Sequence, residues 1–283
     1  MAAVAAVTIP PSAGPSVALL KRAATAVIGI PLFAGIVVAA PRLVFVLLVV
    51  ALSGVAAWEL MRMFERAGRR PYSRLAVVGA VAVTASFALP GRGVAALVLT
   101  LAVAAALSAP LWKGDALAVE PVAATMLAIV YVGWLLGHGV ALDSLPDGAA
   151  LVLFLVGTTW AGESAAYGVG SLLGRHQLVP AISPRKTVEG ALGQLVVSVG
   201  AAAILGAWLL PHWSHSTAIL AGTMLGIVGQ IGDLVESAIK RSLGAKDTGT
   251  LIPGHGGVLD RLDGLMFNAP ALFYYASWVG GRG

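Results

Sequence analysis

Apolar residues fill this chain in long runs, broken by short clusters of charge, proline or glycine. A helix needs about 20 apolar residues to cross the hydrocarbon of a bilayer. Nine runs approach that length, at about 23–40, 43–61, 75–90, 93–111, 121–142, 149–168, 190–210, 216–235 and 263–280. The pattern predicts an all-α, polytopic integral membrane protein with about nine transmembrane helices. The third run is short and ends at Leu89-Pro90-Gly91. The eighth is interrupted by Gly222, Gly226, Gly229 and Gly232. Three regions follow: a disordered tail over 1–20, a bundle of five spans over 21–148, and a four-span unit over 149–283.

Nine spans place the connecting segments alternately on two sides. One side collects Lys21, Arg22, Arg62, Arg66, Arg69, Arg70, Arg74, Lys113, Arg175, Arg185, Lys186, Lys240, Arg241, Lys246 and Arg261, which is 15 of the 18 lysines and arginines. The other holds Arg42, Arg92 and Arg282. The cation-rich side of a membrane protein faces the cytoplasm. That puts the N-terminus in the cytoplasm and the C-terminus outside, in a multi-pass protein of the cell membrane. Residues 1–20 are rich in Ala, Pro and Ser and carry no charged side chain, unlike the cationic start of a secretory signal. Lys21 and Arg22 then anchor the first span.

Composition agrees. The chain is 58% hydrophobic and 11% charged, with a mean hydropathy of +0.90, where a soluble domain has about 25% charged residues. One soluble core cannot hide so much apolar surface. The formal net charge of +5 follows the loops between apolar runs, so it reads as topology, and no nucleic-acid partner is expected. The absence of cysteine excludes disulfides, thiolate metal sites and a cysteine nucleophile.

Two connections on the cation-rich side, 169–189 and 236–262, are long and carry glycine, cations and acids, as functional loops do. The stretch 232–264 is the more informative. Asp233 lies inside the eighth apolar run, where an acid costs about 2.5–3.5 kcal/mol on insertion scales. Either it serves a function or it pairs internally, for instance with Lys240. On a helix Asp233, Glu236, Ser237, Lys240 and Arg241 share one face. Carboxylates suit a hard cation such as Mg²⁺, and cations suit phosphate oxygens. Lys246-Asp247-Thr248-Gly249 and Pro253-Gly254-His255-Gly256-Gly257 follow, a glycine-rich loop able to turn amide N–H groups toward an anion. His255 could contact phosphate or satisfy a loop carbonyl. Asp260, Arg261 and Asp263 open the ninth run, and Asp260 and Asp263 share a helix face. Helix starts favour acids for dipole reasons alone, which accounts for one of the two. Folding back of the loop would bring Asp233 and Asp260 together on a metal. In the other loop, Ser183-Pro184-Arg185-Lys186-Thr187-Val188-Glu189-Gly190 reads either as a capped helix start or as a clamp for phosphate through Ser183, Arg185, Lys186 and Thr187. Glu163 is a further acid inside an apolar run.

These residues carry a resemblance. Ser237-Ala238-Ile239-Lys240-Arg241, Lys246-Asp247-x-Gly249, Pro253-x-His255-Gly256-Gly257 and Asp260-Arg261-x-Asp263 together resemble the signature of the phosphatidate cytidylyltransferases. Ser183-Pro184-x-Lys186-Thr187-x-Glu189-Gly190 is similar to a second hallmark of that family. The resemblance covers roughly the C-terminal 125 residues; the rest matches only as hydrophobic spans. It implies a polytopic fold, homodimers, Mg²⁺ dependence, and CTP plus phosphatidate as substrates, giving CDP-diacylglycerol and pyrophosphate. By position it implies Asp233 and Asp260 as metal-binding acids; Glu236, Asp263 and Glu163 are further candidate metal ligands. Lys186, Lys240, Arg241 and Arg261 would hold phosphate, with Lys246, His255, Gly256 and Gly257 on the same loop. The family commonly has Asp before its Ala-Tyr pair, where this chain has Glu163, one methylene longer.

A phosphomonoester is already mostly dianionic at neutral pH, its second pKa being about 6. Transfer to it needs no base, only alignment and charge neutralisation, which two carboxylate-held cations and a ring of Lys and Arg would supply. Three other readings are weighed. A CDP-alcohol phosphatidyltransferase would need Ala-Arg where Phe267-Asn268 stand. A CTP-dependent polyprenol-type lipid kinase would release CDP. A transporter would use Asp233 in a broken helix.

Overall fold

The computed structural model describes residues 29–91, 93–114, 119–249 and 256–280. The proposed tail at 1–20 and His255 lie outside them. Among the described residues the chain forms nine helices and one hairpin. The helices are α1 (Gly29–Ala39), α2 (Arg42–Arg66), α3 (Ser73–Ser86), α4 (Val94–Lys113), α5 (Val119–Asp143), α6 (Gly148–Leu173), α7 (Val188–Leu209), α8 (His215–Ser242) and α9 (Leu259–Gly280). Six of them, α2 and α4 to α8, are long and apolar enough to cross a membrane, as expected of a multi-pass membrane protein. Helices α1 and α3 are apolar but shorter.

Breaks between helices fall where the chain loses helical backbone. Gly93 and Gly114 bracket α4 in left-handed conformation, open to glycine without a Cβ penalty. The Ser214 hydroxyl accepts the Thr217 amide at 3.1 Å and caps α8. Within α5, residues Ala128–Trp134 widen into a π-helical turn, a distortion common at functional sites.

The helical frame expected from the sequence carries one small addition. Gln177–Val179 (β1) and Ser183–Thr187 (β2) form an antiparallel hairpin between α6 and α7, with Gln177 opposite Thr187 and Val179 opposite Ser183. Pro184 in β2 favours extended backbone at Ser183. The capping reading of this segment also holds: Thr187 Oγ1 accepts the Gly190 amide at 3.1 Å at the start of α7.

One correction concerns α8, which runs unbroken over 28 residues. Its glycines are contact points. A Cβ at Gly222 would run into Ala202 of α7, and one at Gly232 would lie 2.7 Å from the Asp263 carbonyl of α9. Small residues let membrane helices approach closely, and here they wedge α8 between α7 and α9. Phe154, Leu225, Met266 and Leu272 fill the interior where α6, α8 and α9 meet. Asn268 of α9 donates to Thr159 of α6 at 2.9 Å inside it. Helix α4 fully buries only Ala106 and Ala109; its other residues are half-buried or exposed.

Candidate active site

The site assembles where the C-terminal end of α8, the start of α9, the end of α6 and the β-hairpin meet. Close packing at Gly232 sets α8 against α9 so that one side-chain oxygen from each of Asp233, Glu236 and Asp263 lies within 4.8 Å of the others. Asp233 and Asp263 are half-buried, and Glu236 is fully buried. Glu236 Oε1 has no hydrogen-bond partner among the described residues. Buried carboxylate oxygens need a partner, and three of them at this spacing are a donor set for a hard divalent cation. The residues therefore fit the expected metal. Glu163 approaches the same place from α6: a Cβ at Gly264, next to Asp263, would strike its carboxylate.

Two lysines face these acids. Lys186 Nζ of β2 lies 2.6 Å from Asp233 Oδ2. Lys240 Nζ lies 3.1 Å from Glu236 Oε2 and 2.7 Å from Asp260 Oδ1. The internal pairing of Asp233 with Lys240 considered from sequence is thus replaced by pairing with Lys186. The Lys240 ammonium already stands between two acids where a second cation could have been expected.

Asp260 sits differently from the other three acids. Its Oδ2 accepts the Gly257 amide at 2.9 Å, the Thr248 amide at 3.0 Å and the Thr248 hydroxyl at 2.9 Å. Both its oxygens are occupied, one by Lys240 and one by the loop. Gly256 takes φ +80°, and a Cβ there would lie 2.7 Å from Asp260 Oδ2, so Gly256 and Gly257 pack directly on the Asp260 carboxylate.

A cavity of about 520 Å³ opens beside Asp233, lined by Glu163, Tyr167, Arg185, Lys186, Gln194 and Gln230 among others. It combines the two hairpin cations with apolar wall from α6 and α7. The remaining candidates scatter. Arg241 donates to the carbonyls of Ile182, at 3.2 Å, and Ala245, at 2.9 Å, so it ties the hairpin to the end of α8. Arg261 is exposed at the start of α9. Ser183 is half-buried in β2. Lys246 lines a separate cavity of about 420 Å³ with Met63, Arg66 and Asp247.

Two residues at the site went unnoticed in the sequence. Glu59 of α2 is 1% exposed and accepts the Leu259 amide at 2.9 Å. Its signal was there, since an acid in a transmembrane run is costly. Tyr131, on the π-helical turn of α5, is buried with its hydroxyl unpartnered among the described residues and its ring 6.3 Å from that of Phe267. Nothing in the sequence marks a π-turn.

Comparison with known proteins gives consistent results. The model of the "Cytidylyltransferase family" matches residues 20–279. The "Uncharacterized protein YnbB" of Escherichia coli (strain K12) is 44% identical over 151 residues, 53% of this chain and 50% of that protein. A "Phosphatidate cytidylyltransferase" of Synechocystis sp. is 45% identical over 139 residues, 47% of this chain and 45% of its own. One from Bacillus subtilis (strain 168) is 32% identical over 242 residues, 82% of this chain and 88% of its own. The chain spans about half the length of the first two relatives.

Proposed function

The chain belongs to the cytidylyltransferase family, and from that premise we propose that it transfers the cytidylyl group of CTP to phosphatidate, giving CDP-diacylglycerol and pyrophosphate. The observation that carries this reading is the grouping of Asp233, Glu236 and Asp263 beside Lys186 and a cavity with an apolar wall. The names of the Synechocystis and Bacillus relatives supply the substrates.

In this reaction a phosphate oxygen of phosphatidate attacks the α-phosphorus of CTP. The new O–P bond forms as the bond to the β-phosphate oxygen breaks, and pyrophosphate carries the electron pair away. The attacking phosphomonoester is already ionised, so the protein's task is to overcome repulsion between two polyanions. Asp233, Glu236 and Asp263 would hold Mg²⁺, which supplies charge neutralisation at the transferred phosphoryl group. Lys186, with Arg185 beside it, binds phosphate oxygens from the hairpin. Lys240 holds Glu236 and Asp260 in place, and Asp260 fixes the loop through Thr248 and Gly257.

The family reading extends to a homodimer and to nine spans with the N-terminus and the active site on the cytoplasmic side. The distribution of cations supports that orientation. CTP is water-soluble and phosphatidate lies in the leaflet; a site at the ends of α6, α8 and α9 is reached by both. The lipid-kinase alternative needs a base to activate an alcohol, and it is separated by its product, CDP in place of pyrophosphate. The transporter alternative drew on a broken helix, and α8 is continuous.

The test is purified protein with CTP, phosphatidate and Mg²⁺. The proposal expects pyrophosphate and CDP-lipid in equal amounts. Release of CDP with phosphorylated lipid, or no CTP-dependent product, would refute it.

A further inference from the structure

Glu59 belongs to the half of the chain that carries none of the signature residues, yet it touches the site's loop on both sides. We infer that Glu59 is a positioning residue for the active site, holding the loop between α8 and α9 through Leu259 and Thr248. The inference rests on the proposed reaction for its catalytic meaning, and on geometry for the contact itself.

Glu59 lies two turns before the end of α2 and is buried. Its Oε2 accepts the Leu259 amide, the first residue of α9, at 2.9 Å. The Thr248 hydroxyl lies between two carboxylates, 3.3 Å from Glu59 Oε2 and 2.9 Å from Asp260 Oδ2. A hydroxyl has one proton to give, so Thr248 links the two acids without satisfying both. The loop backbone closes around the same carboxylate: a Cβ at Gly249 would lie 2.6 Å from Glu59 Oε1, and one at Gly257 2.6 Å from Oε2. Gly257 in turn donates its amide to Asp260. Glu59 therefore contacts the loop's entry at Thr248 and Gly249 and its exit at Gly257 and Leu259. The first turn of α9, which carries Asp260 and Asp263, is fixed from α2.

A carboxylate that only filled space could be replaced by any residue of its shape. An anchor acts through its acceptor oxygen. Glu59→Gln keeps an oxygen for the Leu259 amide, while Glu59→Ala removes both. Amide hydrogen exchange over 246–260 in detergent micelles reads the contact directly, and steady-state kinetics read its consequence. In Glu59→Ala, exchange at Thr248, Gly257 and Leu259 should rise about tenfold or more while α6 and α7 are unchanged. Its kcat should fall about tenfold or more with KM for CTP moved less than about threefold. Glu59→Gln should restore both readouts to within about threefold of the wild type. Unchanged exchange at those amides overturns the inference, and so does faster exchange with an unaltered kcat. If Glu59→Ala fails to fold, Glu59→Met, which removes both acceptor oxygens and keeps the length of the side chain, is read by the same criteria. A wild-type protein that makes no CDP-lipid would refute the proposed reaction, while the exchange measurement would still decide the anchor.

Discussion

Lys186 Nζ lies 2.6 Å from Asp233 Oδ2, joining strand β2 to helix α8 at the edge of the acid cluster. The ammonium thus neutralises a carboxylate that is also placed to hold a divalent cation. Both side chains are about a third exposed, 27% and 33%, and a pair of that exposure contributes about 1 kcal/mol or less. A cation entering beside Asp233 competes with Lys186 and frees it for a phosphate oxygen. Lys186→Met should therefore tighten binding of Mn²⁺ alone by about three- to fivefold. It should also lower kcat/KM for CTP by about 10²-fold, because the phosphate loses a charged donor. Isothermal titration with Mn²⁺ and steady-state kinetics measure the two effects. Weakened metal binding in the variant would show that Lys186 supports the cluster instead of competing with it.

The acids divide into two groups by their partners. Asp233, Glu236 and Asp263 gather around an unfilled carboxylate oxygen, whereas Asp260 is engaged by Lys240, Thr248 and Gly257. Asp233→Asn, Glu236→Gln and Asp263→Asn should each lower kcat by about 10²–10³-fold. Each should raise the Mg²⁺ concentration needed for half-maximal rate. Asp260→Asn should lose activity comparably, but through release of Lys240 and the loop, with the Mg²⁺ requirement unchanged. Mg²⁺ titrations of the four variants decide this, and a raised requirement in Asp260→Asn would move Asp260 among the ligands. Chelation should abolish wild-type activity, and added Mg²⁺ should restore it.

Much of this was legible in the chain because lipid leaves few alternatives. Apolar length alone located the helices, and acids inside apolar runs pointed to Asp233 and Glu163 on energetic grounds. The shared face of Asp233, Glu236 and Lys240 followed from helical spacing. Partner choice was not legible. Asp233 and Asp260 each had several cations within plausible reach, and only packing at Gly232 and the fold of the hairpin assign Lys186 to one and Lys240 to the other. The hairpin itself was missed because five residues with Pro184 among them do not alternate clearly enough to read as a strand. Glu59 was overlooked because its partner residues lie 189 and 200 positions away, and sequence spacing carries no trace of contacts at that range.

The glycines of α8 separate contact from conformational freedom. Gly232→Ala places a methyl group 2.7 Å from the Asp263 carbonyl, and backbone cannot move aside cheaply. Such overpacking costs about 1–3 kcal/mol and displaces Asp263 from Asp233. The variant should unfold at lower temperature in detergent and lose activity. Gly200 of α7 is the control, since a Cβ there meets nothing within 4 Å. Gly200→Ala should be neutral or stabilising by up to about 1 kcal/mol, from helix propensity alone. A thermal-shift comparison of the two variants is sufficient, and equal shifts would remove the packing argument.

The proposed orientation can be tested because the chain has no cysteine, so any single introduced thiol reports its own position. Arg70, between α2 and α3, and Pro146, between α5 and α6, are both exposed and lie in loops separated by three helices. An odd number of crossings puts them on opposite sides of the bilayer if α3, α4 and α5 all span. Helix α3 is the doubtful element by length, with 14 residues, about 21 Å at 1.5 Å per residue against about 30 Å of hydrocarbon. In intact cells a membrane-impermeant maleimide should label Pro146→Cys and leave Arg70→Cys unlabelled until the cells are opened. Labelling of both before opening would mean that α3 does not cross, and would put the cation-rich loop around Arg70 outside while the acid cluster, beyond Pro146 in the chain, kept its proposed side.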